Sequence, residues 1–124
     1  MRKPEATLTT QELAIMKIVW RLGHATVRDV YHALLENRHI AYTTVMTMMN
    51  VLETKGHLKK DTADRAYRYQ PARPEQAVVT AMVREFVSRV FDGASRPLLL
   101  HLVKDRRLTA KERDALLRLI DEAD

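Results

Sequence analysis

The sequence predicts a mainly α fold with a small antiparallel β hairpin, and three observations carry that prediction. Glycine and proline are scarce, three and four in 124 residues, too few for the many turns of a sandwich or barrel. Apolar residues recur at i, i+3, i+4 and i+7 through most of the chain, the period of an amphipathic helix. One stretch after Gly56 drops that period for an alternation of two, the period of a strand.

The first helix opens on a capping box, Thr9 with Glu12, in which each side chain can satisfy an orphan N–H of the first turn. Leu8 and Leu13 flank the box as a hydrophobic staple. Leu13, Ile15, Met16, Ile18, Val19, Trp20 and Leu22 form a broad apolar face, and Gly23 stops the helix. A second box, Thr26 with Asp29, starts the next helix, with Val27, Val30, Tyr31, Leu34 and Leu35 at helical spacing. The polar run Glu36-Asn37-Arg38-His39 reads as a turn. The third helix is expected from Tyr42 to Lys55, ending at Gly56, with Val45, Met48, Met49 and Leu52 turned inward.

Beyond Gly56, residues 58–62 and 66–70 read as two short strands about a polar turn at Ala63-Asp64-Arg65. Tyr67 and Tyr69 share one face of the second strand and Arg68 takes the other. Three helices and then a basic hairpin is the winged helix-turn-helix order. Pro74 suits the first position of a fourth helix, whose seam is Val79, Met82, Val83, Phe86, Val87 and Val90, up to Gly93. A shorter helix from about Pro97 to Lys104 carries Leu98, Leu99, Leu100, Leu102 and Val103. The last opens on a third capping box, Thr109 with Glu112, and holds Leu116, Leu117, Leu119 and Ile120. The expected organisation is a winged helix-turn-helix over residues 1–73, followed by a helical dimerisation segment over residues 74–124.

Composition narrows the function. Apolar residues at 46% support a core, and charged residues at 30% a solvated surface. The absence of cysteine excludes disulfides, thiolate metal sites and cysteine nucleophiles. Neither a signal-peptide core nor a membrane-spanning run is evident, so a cytoplasmic chain without membrane insertion is expected. The net charge is +5 and unevenly placed. Residues 1–73 hold 12 Lys or Arg against 7 Asp or Glu, whereas residues 74–124 hold 9 of each. That asymmetry fits one half meeting a polyanion while the other does something else.

The third helix is the candidate reader of double-stranded DNA. Thr43, Thr44, Met46, Thr47 and Asn50 lie opposite its core stripe. Hydroxyls can reach phosphates or base edges, methyl groups can meet thymine methyls, and an Asn can pair with adenine. Glu53 is the only acidic residue of that helix, so phosphate is not repelled. On the hairpin, Lys59, Lys60, Arg65 and Arg68, with Tyr67 beside them, would supply sequence-independent and salt-sensitive affinity. Arg28, at the start of the second helix, adds a candidate phosphate contact. The C-terminal seams exceed what short helices on one small domain can bury. They are therefore expected to pack against a second copy, forming a homodimer.

The chain resembles the BlaI/MecI/CopY family of bacterial repressors over nearly its whole length. The resemblance rests on residues 13–20 (LAIMKIVW), on Ala41-Tyr42-Thr43-Thr44-Val45-Met46-Thr47, on Leu52-Glu53-Thr54-Lys55-Gly56 and on Ala66-Tyr67-Arg68-Tyr69. It implies a homodimer on a dyad-symmetric operator and repression of resistance or stress genes. The penicillinase branch further implies a membrane sensor-transducer protease, whose signal leads to cleavage within the dimerisation region. The matching bond is His101-Leu102, where well-known members carry Asn-Phe, and Met46 stands where some members carry Arg. The copper-responsive branch uses a cysteine-rich tail, and these 124 residues contain no cysteine.

Competing functions find less support in the residues. No nucleophile elbow, Gly-rich phosphate loop or carboxylate pair suggests an enzyme, and no cofactor is expected. The five histidines, His24, His32, His39, His57 and His101, are scattered without metal-ligand spacing, so no metal is expected either. The alternatives are a winged-helix module for protein contacts, or a regulator of the same fold with a different inducer.

Overall fold

A computed structural model of the chain describes residues 8–62, 67–105 and 107–122. The elements run α1 (Thr10–Leu22), α2 (Val27–Leu35), α3 (Tyr42–Thr54), β1 (Leu58–Asp61), β2 (Arg68–Pro71), α4 (Glu75–Phe91), α5 (Ser95–Val103) and α6 (Ala110–Glu122). This is the mainly α chain with one antiparallel hairpin that the periodicities predict.

All three capping boxes form. Before α1, the Glu12 N–H donates to Thr9 Oγ1 at 3.1 Å while the Thr9 N–H donates to Glu12 Oε1 at 2.9 Å. Thr26 with Asp29 repeats this before α2, and Thr109 with Glu112 before α6. Each box satisfies donors that a helix start leaves orphaned. Gly23 ends α1 at φ +84°, and a Cβ there would meet nothing within 4 Å. The glycine is needed for its backbone angle, not for space.

The chain divides into two compact units, one reaching to Ala81 and the other beginning at Met82. The first is the winged helix. Its core is the facing stripes of Ile15, Met16 and Val19 on α1, Val30 and Leu34 on α2, and Val45, Met49 and Leu52 on α3, all buried. Leu58 and Tyr69 close this core from the hairpin, and Val78 closes it from the first turns of α4. Burying each such side chain contributes about 1.5–3 kcal/mol, enough to hold three short helices that would not persist alone. Met48, expected inward, is only half-buried, and Leu22 and Leu35 remain exposed at the ends of their helices.

β1 and β2 pair antiparallel, with Lys60 opposite Tyr69 and Asp61 opposite Arg68. The expected start of the second strand, Ala66, lies outside the described residues, and Tyr67 precedes the observed strand. Tyr69 also exchanges two backbone hydrogen bonds of 2.8 Å with Ala25, in the turn between α1 and α2. Its carbonyl accepts from the Ala25 N–H, and its N–H donates to the Ala25 carbonyl. Trp20 Nε1 donates to the Arg73 carbonyl at 3.0 Å, fixing the exit from the hairpin against α1. Pro74 lies just before α4 instead of at its first position, and its carbonyl accepts from Ala77 and Val78.

In the second unit α5 packs on α6, and Arg96 donates to the Ile120 carbonyl at 3.3 Å. Phe91 lies 5.8 Å from both the Phe86 and the His101 rings. Asp92 and Gly93 turn the chain out of α4 with positive φ, 52° and 85°. Among the described residues no helix is long and apolar enough to cross a membrane.

Candidate nucleic-acid interface

The turn between α2 and α3 sets the second helix of the pair on the surface. Burial of Val45, Met49 and Leu52 fixes the rotation of α3. Thr43, Thr44, Met46, Thr47 and Asn50 are therefore exposed on its outer side. No acidic residue occupies the first turn of α3, so the positive end of its dipole is not neutralised from within. The Thr47 hydroxyl donates to the Thr43 carbonyl at 2.9 Å, which commits its proton to the helix and leaves its oxygen to accept.

A shallow groove of about 540 Å³ runs between α3, the start of α2 and the hairpin. It is lined by Thr26, Val27, Arg28, Tyr42, Met46, Asn50, Lys60, Tyr67 and Tyr69. It joins Arg28, Met46, Asn50, Lys60 and Tyr67, which the sequence predicts, and among the described residues its charged walls are both cations. Thr43, Thr44, Thr47, Lys59 and Arg68 are not among its walls. Lys59 is exposed on β1.

Lys60 is held in place. Its Nζ sits 4.8 Å above the Tyr67 ring and 5.5 Å above the Tyr69 ring, with Glu53 Oε1 at 3.9 Å. A cation over two aromatic faces is attracted by their quadrupoles, which keeps the ammonium at the groove edge. Both tyrosines thus share one face, as predicted, but Tyr67 is 54% exposed and Tyr69 only 2%. Arg68 belongs to a separate hollow with His24, Asp61 and Gln70, and its Nη1 lies 3.1 Å from His24 Nδ1. The Thr26 N–H above all, with Arg68 and His24 adding to it, holds the Asp29 carboxyl below its ordinary range. Arg65 lies outside the described residues.

Four lining residues were missed in the sequence, Val27 among them, which registered only as an apolar position of α2. Thr26 registered only as a cap and Tyr69 only as a strand position. Tyr42 registered only as a helix start, yet it is 40% exposed and meets the Tyr31 ring edge-on at 5.5 Å. The period-two pattern marks the face of Tyr69, but not that its hydroxyl reaches α3. That hydroxyl donates to Asn50 Oδ1 at 2.9 Å.

The residues expected at a dimer seam vary in exposure. Val83, Phe86, Val90, Leu102 and Leu117 are exposed at 39–49%, and Val79, Met82, Val87, Leu98, Leu99 and Leu116 are half-buried. Ile120 is already buried within the single chain. The His101-Leu102 bond lies inside α5 with both side chains exposed. Among the described residues no three His, Asp or Glu side chains converge as a metal ion would require.

Comparison with known proteins accords with this architecture. The family profile described as penicillinase repressor matches residues 8–122. The chain is 37% identical over 113 residues to the transcriptional regulator BlaI of Mycobacterium tuberculosis, covering 90% of this chain and 80% of the relative. It is 18% identical over 122 residues to the penicillinase repressor of Staphylococcus aureus, covering 98% and 97%. The solution structure of Bacillus licheniformis BlaI, a monomeric form in complex with the blaP half-operator, superposes with a TM-score of 0.52 at 26% identity. That match covers 61% of this chain and 92% of the other. The chain therefore belongs to the penicillinase repressor family and carries its BlaI-like DNA-binding winged-helix fold.

Proposed function

We propose that this chain represses transcription as a homodimer on a dyad-symmetric DNA operator, controlling β-lactam resistance or stress genes. The observation that carries this reading is the outer side of α3. It is exposed, rich in short hydroxyls and free of acid in its first turn, and it borders a groove whose charged walls, among the described residues, are Arg28 and Lys60. Such a surface suits a base-reading helix beside phosphate-binding cations. In the Bacillus complex one BlaI monomer accompanies half an operator. Two copies of this chain would by analogy occupy a whole one, with their reading helices roughly 34–36 Å apart, one turn of DNA.

The exposed apolar side chains of α4, α5 and α6 supply the candidate dimer surface. Release from DNA follows proteolytic inactivation in this C-terminal region, downstream of a membrane sensor-transducer protease, with His101-Leu102 in α5 as the candidate bond. The deciding experiment is salt-dependent binding to the dyad-symmetric DNA upstream of the chain's own gene, with scrambled DNA as control. Tight, salt-steep binding that prefers the dyad is expected. Weak and equal binding to both would overturn the repressor reading in favour of a protein-contact module.

A further inference from the structure

Asn50 is the ninth residue of α3, about 12 Å along the axis from Tyr42, and its amide is not free to turn. The Tyr69 hydroxyl donates to its Oδ1 at 2.9 Å. Tyr69 is itself rigid: it is 2% exposed, its backbone is paired to Ala25 on one side and faces Lys60 across the hairpin on the other, and its ring lies under the Lys60 ammonium. A cation over the ring face draws electron density from the phenol, which favours the hydroxyl as donor. The carboxamide oxygen is therefore turned towards the wing, and the two N–H groups are left to face a ligand.

Bidentate recognition of adenine needs an Asn oxygen to accept from N6 while the amide nitrogen donates to N7. A carboxamide whose oxygen is tied to the wing is badly placed for that. Its donors suit phosphate. If α3 lies in a major groove and the wing over the adjacent minor groove, the sugar–phosphate strand dividing the two grooves must pass between them. The trough between α3 and the wing holds Asn50 with Arg28 and Lys60, a neutral donor and two cations.

We propose that Tyr69 is a positioning residue that fixes the Asn50 amide as a donor to a backbone phosphate, so that Asn50 clamps DNA without reading its sequence. The inference rests on the repressor reading and deepens it. Tyr69→Phe removes one hydroxyl and keeps the buried ring, so it is expected to melt near the wild type. Asn50→Ala strands the Tyr69 hydroxyl and is expected to melt lower, so each variant is titrated well below its own melting temperature. Full-length protein is titrated with a random-sequence duplex and with the upstream dyad duplex.

Tyr69→Phe is expected to weaken binding to both duplexes by the same factor, about 3- to 10-fold, the cost of ordering a freed side chain. The salt slope stays unchanged because no charge is lost. In an Asn50→Ala background the same substitution should have no further effect, since Tyr69 acts through Asn50. Loss confined to the dyad duplex would make Asn50 a base reader and overturn the proposal. Unaltered binding by Tyr69→Phe, or an equal loss in the Asn50→Ala background, would overturn the positioning role. Wild-type protein that fails to prefer the dyad would instead strike the repressor reading, a result read before either variant is added.

Discussion

Lys55 Nζ lies 2.9 Å from Oε2 of Glu12, tying the C-terminal end of α3 to the first turn of α1 across 43 residues of sequence. The Glu12 side chain is 7% exposed and also completes the α1 cap, so one carboxylate serves two elements. Burial alone would raise its pKa, but the Thr9 N–H and the Lys55 ammonium outweigh burial and hold it below the ordinary carboxyl value of 4.5.

A lowered carboxyl stabilises the fold fully above the unfolded value and loses that contribution as pH falls through the folded one. Urea denaturation followed from neutral pH downward should therefore show stability declining below about pH 4.5. Glu12→Gln should cost about 1–3 kcal/mol at neutral pH and flatten the acid decline. A variant with an undiminished acid decline would remove Glu12 from this role.

Neutralising the wing tests the electrostatic part of DNA affinity. Lys59→Ala and Lys60→Ala should each lower the slope of log K against log salt by about 1, and weaken operator and scrambled DNA alike. Of the two, Lys60→Ala should also loosen the wing, because its ammonium holds two tyrosine rings. Measuring both slopes by fluorescence anisotropy decides the matter: a slope equal to wild type means that the side chain meets no phosphate.

Thr44 and Thr47 carry the sequence-reading prediction. Replacing both with Ala should cost roughly 1–3 kcal/mol per lost base contact on the operator and almost nothing on scrambled DNA. Since the Thr47 proton is committed to the Thr43 carbonyl, Thr47 can read only a donor or a methyl group. Equal losses on the two DNAs, in competition titrations, would take base reading away from both threonines.

Phe86→Asp and Val83→Asp address the second copy. Both side chains are more than 40% exposed in the single chain, so a charge there leaves the monomer folded. Sedimentation should report a monomer, and operator affinity should collapse with the loss of the second reading helix. Val78→Asp is the contrast, since Val78 is fully buried and its substitution should unfold the winged unit. A dimeric Phe86→Asp protein would move the seam elsewhere.

Local chemistry was legible in the sequence and long-range chemistry was not. Capping boxes such as Thr9 with Glu12 show in the residues because their partners are three positions apart. The positive φ at Gly23 is legible for the same reason. The bond from Tyr69 to Asn50 spans 19 residues and that from Lys55 to Glu12 spans 43, and no spacing rule announces either. Hairpin alternation places Tyr67 and Tyr69 on one face, but does not reveal that Tyr69 is buried with its hydroxyl on Asn50 while Tyr67 stays exposed. Arg68 looks from sequence like a free wing cation, whereas it lies against His24 in the turn after α1.

The pairing of Ala25 with Tyr69 has a consequence for how the molecule behaves when concentrated. A two-stranded ribbon offers two open edges, each a template on which another chain can add a strand. Here the outer side of β2 is capped by a single residue of the preceding turn, too short a partner to be extended. The far side of β1 is only four residues long and carries Lys59, Lys60 and Asp61 in a row. Both borders thus discourage edge-to-edge addition, so the exposed edges of the hairpin offer little template for fibrils.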